Sequence, residues 1–434
     1  LDSASEQPIA VPVASDGVHG SIRVPPSKSL TQRALVAAAL AGSGSRVQGP
    51  LDAEDPRLLF AALRAAGYRL RWKGDSIVAD GRDEVPHATL WLGNNGTGAR
   101  FLVALLAALP GEWAIDGSPR LRERPVAPLV AALRRLGAEI RPLEAPTGEV
   151  EPHLPLGVRG RSLRGGEVNL DPSASSQFVS ALLLLGASLP QGITIRLTAP
   201  TPSRPYLDLT AEVLAAFGVN VESEAGGSTL SVGGGGFRPT AFAVEGDWSA
   251  AAFPLAAAAA VGGSVEVVGV RRSSRQGDAV VLTVLERAGC RVVDSGRGVV
   301  VTGPVSRPLA ADLRHAPDLF PALAVVVGVH GGRLEGLGGL AAKESDRLVV
   351  MASRLASLGF VGERDVSSFT APGGRPRTVA PSEPLDPADD HRIAMALAVA
   401  GCVIPGVRVA RPGCVAKSWP GFWSDWQALQ GAGP

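Results

Sequence analysis

Lysine is almost missing from this chain of 434 residues: only Lys28, Lys73, Lys343 and Lys417 stand among its 42 basic side chains. Elsewhere positive charge is written with Arg. A position that keeps Lys in that background is a candidate for needing a compact ammonium. Cysteine is scarce as well. The three that occur, Cys290, Cys402 and Cys414, are scattered and odd in number, which argues against a disulfide framework or a zinc knuckle and for a reducing, cytoplasmic compartment. There is no His-x-x-His pair and no Cys cluster, so no metal site is expected. Excess charge is lacking too: the formal net charge of +1 argues against a general nucleic-acid binder. No apolar run reaches the roughly 18 residues of a membrane span without a polar head. The stretch LDSASEQPIAVPV has no basic segment followed by an apolar one, so no signal peptide is expected. The spacing GxxxxGK[ST] of a P-loop is absent.

What is present is a repeated construction. Six Ala-rich apolar runs occur, each introduced by a polar turn: SKSLTQRALVAAALAG, NNGTGARFLVALLAAL, SASSQFVSALLLLGAS, DWSAAAFPLAAAAAVGG, HAPDLFPALAVVVGVHGG and DDHRIAMALAVAGCV. Their heads recur about every 70 residues, so the chain reads as six repeats. A helix apolar all round is buried on all sides. A second, amphipathic helix follows in PRLLFAALRAAG, APLVAALRRLG, LDLTAEVLAAFG, AVVLTVLERAG and RLVVMASRLASLG. These stop at Gly67, Gly137, Gly218, Gly289 and Gly359, the expected left-handed C-caps. Short β-rich runs come next, such as YRLRW and SIVAD. Each repeat is therefore strand, buried helix, strand, amphipathic helix, strand, strand. The length suits two domains of about 200 residues each, with the best boundary near residue 244, after the Gly-rich stretch SVGGGGF. Residues 1–14 form a Pro-rich lead with an apolar strand, IAVPV.

The chemistry-bearing side chains gather at the helix heads. PPSKSLTQR brings Lys28, Ser29 and Arg33 to the first, where Ser29 or Thr31 is the expected cap. Free N–H groups and the helix dipole make such a head either an anion site or an ordinary capped terminus. LGNNGTGAR contributes Asn94, Gly96, Thr97 and Arg100, and a Gly there lets backbone approach a ligand closely. GSPRLRERP puts Arg120, Arg122 and Arg124 in one loop, as solvated charge or as a carboxylate or phosphate clamp. Ser175, Ser176 and Gln177 head the third apolar run; capping accounts for one of them. TPSRPY supplies Ser203, Arg204 and Tyr206, the last read as packed. The second half holds the carboxylates. Asp318 heads an apolar run, as an N-cap or a site residue. Lys343, Glu344, Asp346 and Arg347 alternate in charge, the usual pattern of a surface. Asp389, Asp390, His391 and Arg392 head the last run, and Lys417 follows in CVAKSWP.

PPSKSLTQRALV, LGNNGTGARFL, RERPVAPLV, SASSQF, PSRPYLD, VEGDWSAAAF, RHAPD, AKESDRL, DDHRIAMA and CVAKSWPGF, in that order, resemble the motif set of the 5-enolpyruvylshikimate-3-phosphate synthase family from about residue 20 to 425. The resemblance implies an α/β fold of two inside-out α/β barrel (prism) domains, each of three βαβαββ repeats with buried parallel helices. It places one domain at 26–244 and the other at 1–25 plus 245–434, with crossovers near 21–28 and 243–247. It implies transfer of the enolpyruvyl group of phosphoenolpyruvate to the 5-hydroxyl of shikimate 3-phosphate, with release of phosphate, through a tetrahedral adduct. By the same resemblance Lys28, Ser29, Arg33, Ser175, Ser176, Gln177, Ser203, Asp318 and Lys343 hold shikimate 3-phosphate. Lys28, Gly96, Arg124, Gln177, Arg347, Arg392 and Lys417 hold phosphoenolpyruvate. Asp318, Glu344 and Lys28 are the catalytic set. Sites shared by both domains imply closure on substrate. No cofactor, metal, nucleic acid or membrane is implied, and a monomer is expected.

This sequence departs from the family pattern in two places. The usual NAGTAMRP reads NNGTGARF, with Asn95 and Phe101 in place of Ala and Pro. Gly339 stands where many members have a ligand-binding Asn. These bear on substrate affinity and on the family's inhibitor glyphosate, which is expected over Gly96, and not on the reaction class. UDP-N-acetylglucosamine enolpyruvyltransferases share the implied fold and chemistry, but normally carry a Cys in the loop that corresponds to Gly117–Arg124, where this chain has none. RNA 3′-phosphate cyclases are disfavoured by the net charge and by the lack of a nucleotide-linking His motif. A non-catalytic phosphate-binding relative is disfavoured by the intact Lys28, Asp318, Glu344 and Lys417.

Overall fold

Six helices are buried along nearly their whole length: Lys28–Ala41, Gly96–Ala107, Gln177–Gly186, Trp248–Val261, Phe320–His330 and His391–Val403. They are the six Ala-rich runs of the sequence. The structure, a computed structural model, describes residues 7–144, 151–224, 226–374, 376 and 381–431. By its internal contacts the chain divides into two compact units, Pro26–Glu245 and a second one made of the residues up to Pro25 together with those from Gly246 onward. Each has its own continuous apolar core.

The fold is mixed α/β, built on several mixed sheets. Five four-stranded sheets share one strand order. In one of them His87–Trp91 runs parallel to Gly111–Asp116, which is antiparallel to Leu156–Gly160, which is antiparallel to Glu139–Pro142. The parallel step is bridged by a buried helix, as a parallel pair requires a crossover. The amphipathic helix then leads to the outer strand. Helices Glu54–Ala65, Ala127–Arg135, Pro205–Ala216, Val281–Arg287 and Arg347–Ser357 occupy that second position. Gly67, Gly137, Gly218, Gly289 and Gly359 behind them all have φ between 81° and 100°, the left-handed C-caps expected.

Two strands are supplied from elsewhere in the chain. In the unit Pro26–Glu245, the first strand of the first sheet is Ala241–Ala243, parallel to Ser45–Gln48. In the other unit, Val18–Arg23 pairs in parallel with Gly263–Val268. Each unit thus ends or begins on a strand that completes a sheet far away in sequence.

Three expectations are corrected. The first helix is capped by Ser27, whose side chain accepts from the Leu30 N–H at 3.4 Å, and not by Ser29 or Thr31. The Pro25-Pro26 pair disfavours helix for Val24 and Pro25, and Ser27 is itself extended (φ −61°, ψ 119°), so the helix starts at Lys28. Thr31 Oγ1 instead accepts from the Leu51 N–H at 3.0 Å. The lead strand is only Ile9–Ala10, because Pro12 has no N–H to donate. The sixth repeat is not equal to the others: among the described residues it contributes the two-stranded pair Ile9–Ala10 with Arg408–Val409, plus a single Leu385–Val409 bridge. Arg408–Val409 is confined between Pro405-Gly406 and Arg411-Pro412, with Gly406 at φ 74° and Arg411 at φ 44°, so the backbone turns before a ladder can extend.

The close approach of strand to helix is visible at Gly160. A Cβ added there would lie 1.7 Å from the carbonyl oxygen of Leu109, just past the end of Gly96–Ala107, and 2.5 Å from that of Leu106 in its last turn. Its φ lies outside the left-handed region, so the obstacle is contact alone. Gly160→Ala is expected to cost about 1–3 kcal/mol, the usual range for overpacking. A thermal melt no lower than that of the unaltered protein would contradict this packing.

Candidate active site

In the unit Pro26–Glu245 the heads of three buried helices are tied to one another. Lys28 Nζ lies 2.9 Å from Asp55 Oδ2, both buried. Asn95, which caps Gly96–Ala107 through the Gly98 N–H at 2.8 Å, also donates from Nδ2 to the Asp55 carbonyl at 2.8 Å. Gln177 donates to Thr97 Oγ1 at 2.9 Å and accepts from Arg100 Nη1. Arg100 also donates to the Pro125 carbonyl at 2.8 Å, next to Arg124.

Arg33 is 1% exposed. Its guanidinium donates to Thr210 Oγ1, Ser180 Oγ and the carbonyls of Ser29 and Tyr206, and lies over the rings of Phe101 and Tyr206. Burial pulls its pKa down to about 10. Arg33 is therefore chiefly a bracket that binds the first helix to Pro205–Ala216, and one Nη1 hydrogen is left over from those bonds. Phe101, a departure from the family pattern, forms one wall of that bracket.

The Arg120, Arg122 and Arg124 stretch is not a plain loop. Pro119–Glu123 is a short helix capped by Ser118, with Pro at its first position, where a missing N–H costs nothing. Arg120 pairs with Glu123 at 2.8 Å, and Arg122 with Asp116 at 2.6 Å and Glu144 at 2.9 Å. Those two arginines are engaged in ion pairs near the surface. Arg124 is buried and folds onto the glycine head: Nη1 donates to the Asn94 carbonyl at 3.1 Å, and a Cβ on Gly96 would lie 2.6 Å from its Cζ. Gly96 is needed for that contact.

Ser175 Oγ accepts from the Gln177 N–H at 3.2 Å, while Ser176 makes no side-chain cap hydrogen bond. Ser203 is buried at φ 53°, a conformation that residues other than Gly rarely adopt. Its strain is held by the turn into Pro205–Ala216, where its carbonyl accepts from the Tyr206 N–H at 3.0 Å.

The other unit is organised on Arg347. This guanidinium is 1% exposed and meets three carboxylates: Asp318 Oδ1 at 2.6 Å, Glu344 Oε2 at 2.5 Å and Asp390 Oδ2 at 2.8 Å. Asp318 also faces Lys343 Nζ at 3.2 Å and Arg392 Nη2 at 3.2 Å. Burial pushes the Asp318 pKa up, and the charges of Arg392, Lys343 and Arg347 more than reverse this, holding its carboxyl well below the usual range. Burial pulls the Arg347 pKa down, and the Asp390, Glu344 and Asp318 charges reverse it, so Arg347 stays a cation. Asp390 caps His391–Val403 through the Arg392 N–H at 3.0 Å and accepts from Ser345 Oγ at 3.0 Å. Lys417 is buried at the end of the turn Pro412–Lys417, which packs on that same helix.

The charged run at 343–347 is thus not a solvated face, and Asp318 is not an N-cap. It lies in the turn Pro317–Leu319, and its oxygens answer cations instead of N–H groups. Sequence reasoning placed Asp390 at a helix head but not as a partner of Arg347, and it left out Asp55 and Ser345 as members of these clusters and the buried Asp278 altogether. Asp55 and Asp390 look like acidic residues complementing helix N-termini, and only folding brings their partners to them. Asp278 stands alone in QGDAV with no charge pattern around it. Among the described residues no group of three or more His, Cys, Asp or Glu could hold a metal ion, and no helix is long and apolar enough to cross a membrane.

The family model described as EPSP synthase (3-phosphoshikimate 1-carboxyvinyltransferase) matches residues 13–426. The 3-phosphoshikimate 1-carboxyvinyltransferase of Syntrophobacter fumaroxidans is 37% identical over 420 residues, 95% of this chain and 98% of the relative. That of Methanoculleus marisnigri is 38% identical over 424 residues, 96% of this chain and 97% of the relative. Among solved structures, an EPSP synthase from Acinetobacter baumannii superposes with a TM-score of 0.75 at 28% identity, covering 97% of each chain.

Removing Arg347 would leave three buried carboxylates without their common partner. Arg347→Met is expected to cost about 3–5 kcal/mol near neutral pH, as breaking a buried ion pair does. Asp318 has a depressed folded-state pKa, so its contribution is present above its unfolded pKa and is lost as pH falls through the folded value. The gap between the two proteins should therefore persist from pH 7 down to about pH 4 and shrink only below it, as pH approaches the depressed folded value. Denaturant unfolding at neutral pH, at about pH 4 and at about pH 2.5 checks this; a gap that does not narrow in the most acid solution would contradict the cluster.

Proposed function

The chain belongs to the EPSP synthase (3-phosphoshikimate 1-carboxyvinyltransferase) family, and from that premise we propose how its own residues perform the reaction. It transfers the enolpyruvyl group of phosphoenolpyruvate to the 5-hydroxyl of shikimate 3-phosphate, releasing phosphate, in aromatic amino acid biosynthesis. In our reading each unit is an inside-out α/β barrel with its buried helices inside, at 26–244 and at 1–25 plus 245–434, with crossovers near 21–28 and 243–247. The shared strand order of five sheets supports this. The protein acts as a monomer in the cytoplasm; three free thiols favour a reducing compartment.

The observation that carries the catalytic assignment is the Asp318–Arg347–Glu344 cluster, in which one carboxylate is held ionised by three cations. Asp318 takes the proton of the 5-hydroxyl. The freed oxygen bonds to C2 of phosphoenolpyruvate while the enol methylene, C3, takes a proton from Glu344, which enters this step as the protonated acid in the substrate complex and leaves it as the carboxylate paired with Arg347. In the tetrahedral adduct the C2–O bond to phosphate then breaks, C3 returns its proton to Glu344, and phosphate leaves with the proton that Asp318 had taken, which restores the Asp318 carboxylate. Lys343 and Arg392 hold Asp318 as a base in the resting protein.

The anions require cations and hydrogen-bond donors. Lys28, Ser29, Ser175, Ser176, Gln177, Ser203, Asp318 and Lys343 are assigned to shikimate 3-phosphate, with Arg33 adding its one remaining Nη1 hydrogen. Lys28, Gly96, Arg124, Gln177, Arg347, Arg392 and Lys417 are assigned to phosphoenolpyruvate. The unusual backbone of Ser203 and the uncommitted cap hydroxyl of Ser176 support the first set. The fold of Arg124 over Gly96 supports the second. Nothing lies within 4 Å of a Cβ built on Gly339, so the missing Asn leaves space and not a substitute contact.

Phosphate release with both substrates tests these roles. Asp318→Ala and Glu344→Ala are each expected to lower kcat by about 10²–10⁴, the usual contribution of a general acid or base. A variant with near-normal kcat and only a raised KM would reduce that residue to a binding group.

Lys28→Arg is expected to lose most turnover with little change in thermal melt. The ammonium is a compact charge with three donors, able to keep Asp55 at 2.9 Å and still meet substrate anions. A guanidinium keeps the ion pair but is wider and planar, and displacement of reacting groups by about 1 Å costs on the order of 10²-fold. Turnover equal to that of the unaltered protein would show that position 28 needs charge alone.

A further inference from the structure

The roles above leave QGDAV unused, yet its Asp278 is 3% exposed. Gln276 locks this stretch to the head of Trp248–Val261: its Oε1 accepts from the Trp248 N–H at 3.2 Å and its Nε2 donates to the Gly246 carbonyl at 2.8 Å. The turn Gly277–Val280 that follows packs on that helix, as does the turn Pro317–Leu319 that carries Asp318. Asp278 Oδ2 accepts from Ser249 Oγ, and its Oδ1 is buried with no hydrogen-bond partner among the described residues. An ionised carboxylate with one bare oxygen in an interior is costly, and a neutral carboxyl much less so.

We propose that Asp278 is a positioning residue for the transfer reaction: fixed by Ser249, its carboxyl is the neutral partner of Asp318 in the active protein, and its ionisation weakens phosphoenolpyruvate binding on the alkaline side. The inference rests on the role given to Asp318 and deepens it. The groups that bear on Asp278 are Asp318 from one turn, Arg392 from the head of His391–Val403, and Asp247 and Ser249 from the head of Trp248–Val261. Burial, and next the Asp318 charge, raise its pKa to about 7, with Arg392 and Ser249 pulling the other way. A second negative charge there competes with Asp318 for Arg392 and repels an anionic substrate. Kept neutral, Asp278 leaves Arg392 to Asp318 and to phosphoenolpyruvate.

The pH profile of kcat/KM for phosphoenolpyruvate, which reports ionisations of the free protein, tests this on Asp278→Asn and Ser249→Ala. The unaltered protein should lose activity above about pH 7, by up to tenfold per pH unit. Asp278→Asn should lack that limb while kcat at pH 6.5 stays within about threefold. Ser249→Ala, which removes a hydrogen bond favouring the charged form, should move the limb to higher pH. The stability sign is also fixed: between about pH 4 and 7 the folded state holds a proton on Asp278 that the unfolded chain has lost, so stability falls as pH rises. Asp278→Asn lacks that term, and its melting temperature should gain on the unaltered protein across this window. An alkaline limb unchanged in a folded Asp278→Asn, or a melting difference independent of pH, would overturn the proposal. If Asp278→Asn does not fold, an unmoved limb in Ser249→Ala does the same. Asp318→Asn separates the two readings: near-normal kcat there removes the base assignment itself, whereas a dead Asp318→Asn beside an unaltered Asp278→Asn profile removes only the role of Asp278.

Discussion

A helix that is apolar on every side has only its two ends to present to anything polar. Six such helices form the interiors of the two units. Their bodies are packed into core, so ligand chemistry is confined to the heads, where N–H groups lack intrahelical partners and the helix dipole favours anions. A reaction between two anions suits that arrangement. Within Pro26–Glu245 the heads are joined by Lys28–Asp55, Asn95–Asp55 and Gln177–Thr97. Within the other unit Arg347 joins two of them, through Asp318 and Asp390.

The two clusters solve the problem of buried charge differently. In the first, the cations are largely committed to neutral acceptors: Arg33 to hydroxyls and carbonyls, Arg124 to Asn94, Arg100 to Gln177 and Pro125. Positive charge is left in excess there, which favours anionic substrates. In the second, three carboxylates and three cations interlock, so each ionisation depends on the others. Such a network is costly to break at one member. It also gives Asp318 a defined ionisation while leaving Asp278, which meets only part of that positive charge, close to neutrality in its pKa.

Much of this was legible in the sequence. The Ala-rich runs, the C-cap glycines and the order of elements followed from periodicity, because a 3.6-residue repeat and a left-handed Gly are local properties. The motif order pointed to the family. Several site members were visible as polar heads on apolar runs, and the four lysines stood out by rarity, with Lys28 and Lys417 buried in the fold. What stayed hidden was non-local: that Ala241–Ala243 and Val18–Arg23 complete distant sheets, and that the sixth repeat is cut short by its turns.

The sequence by itself determined which residues are buried, where helices end and which side chains stand at their heads, since these depend on neighbours a few positions away. Tertiary structure alone decided which charges meet. Arg120, Arg122 and Arg124 are alike in sequence, but the first two pair at the surface and the third lies against Gly96. Asp318 and Asp278 are both buried acids near helix heads. One is placed against Arg392, Lys343 and Arg347, which hold its carboxyl well below the usual range, and in the other burial and next the charge of Asp318 raise the pKa to about 7. Coulomb energy and desolvation depend on distance and surroundings in space, which the order of residues along the chain does not specify.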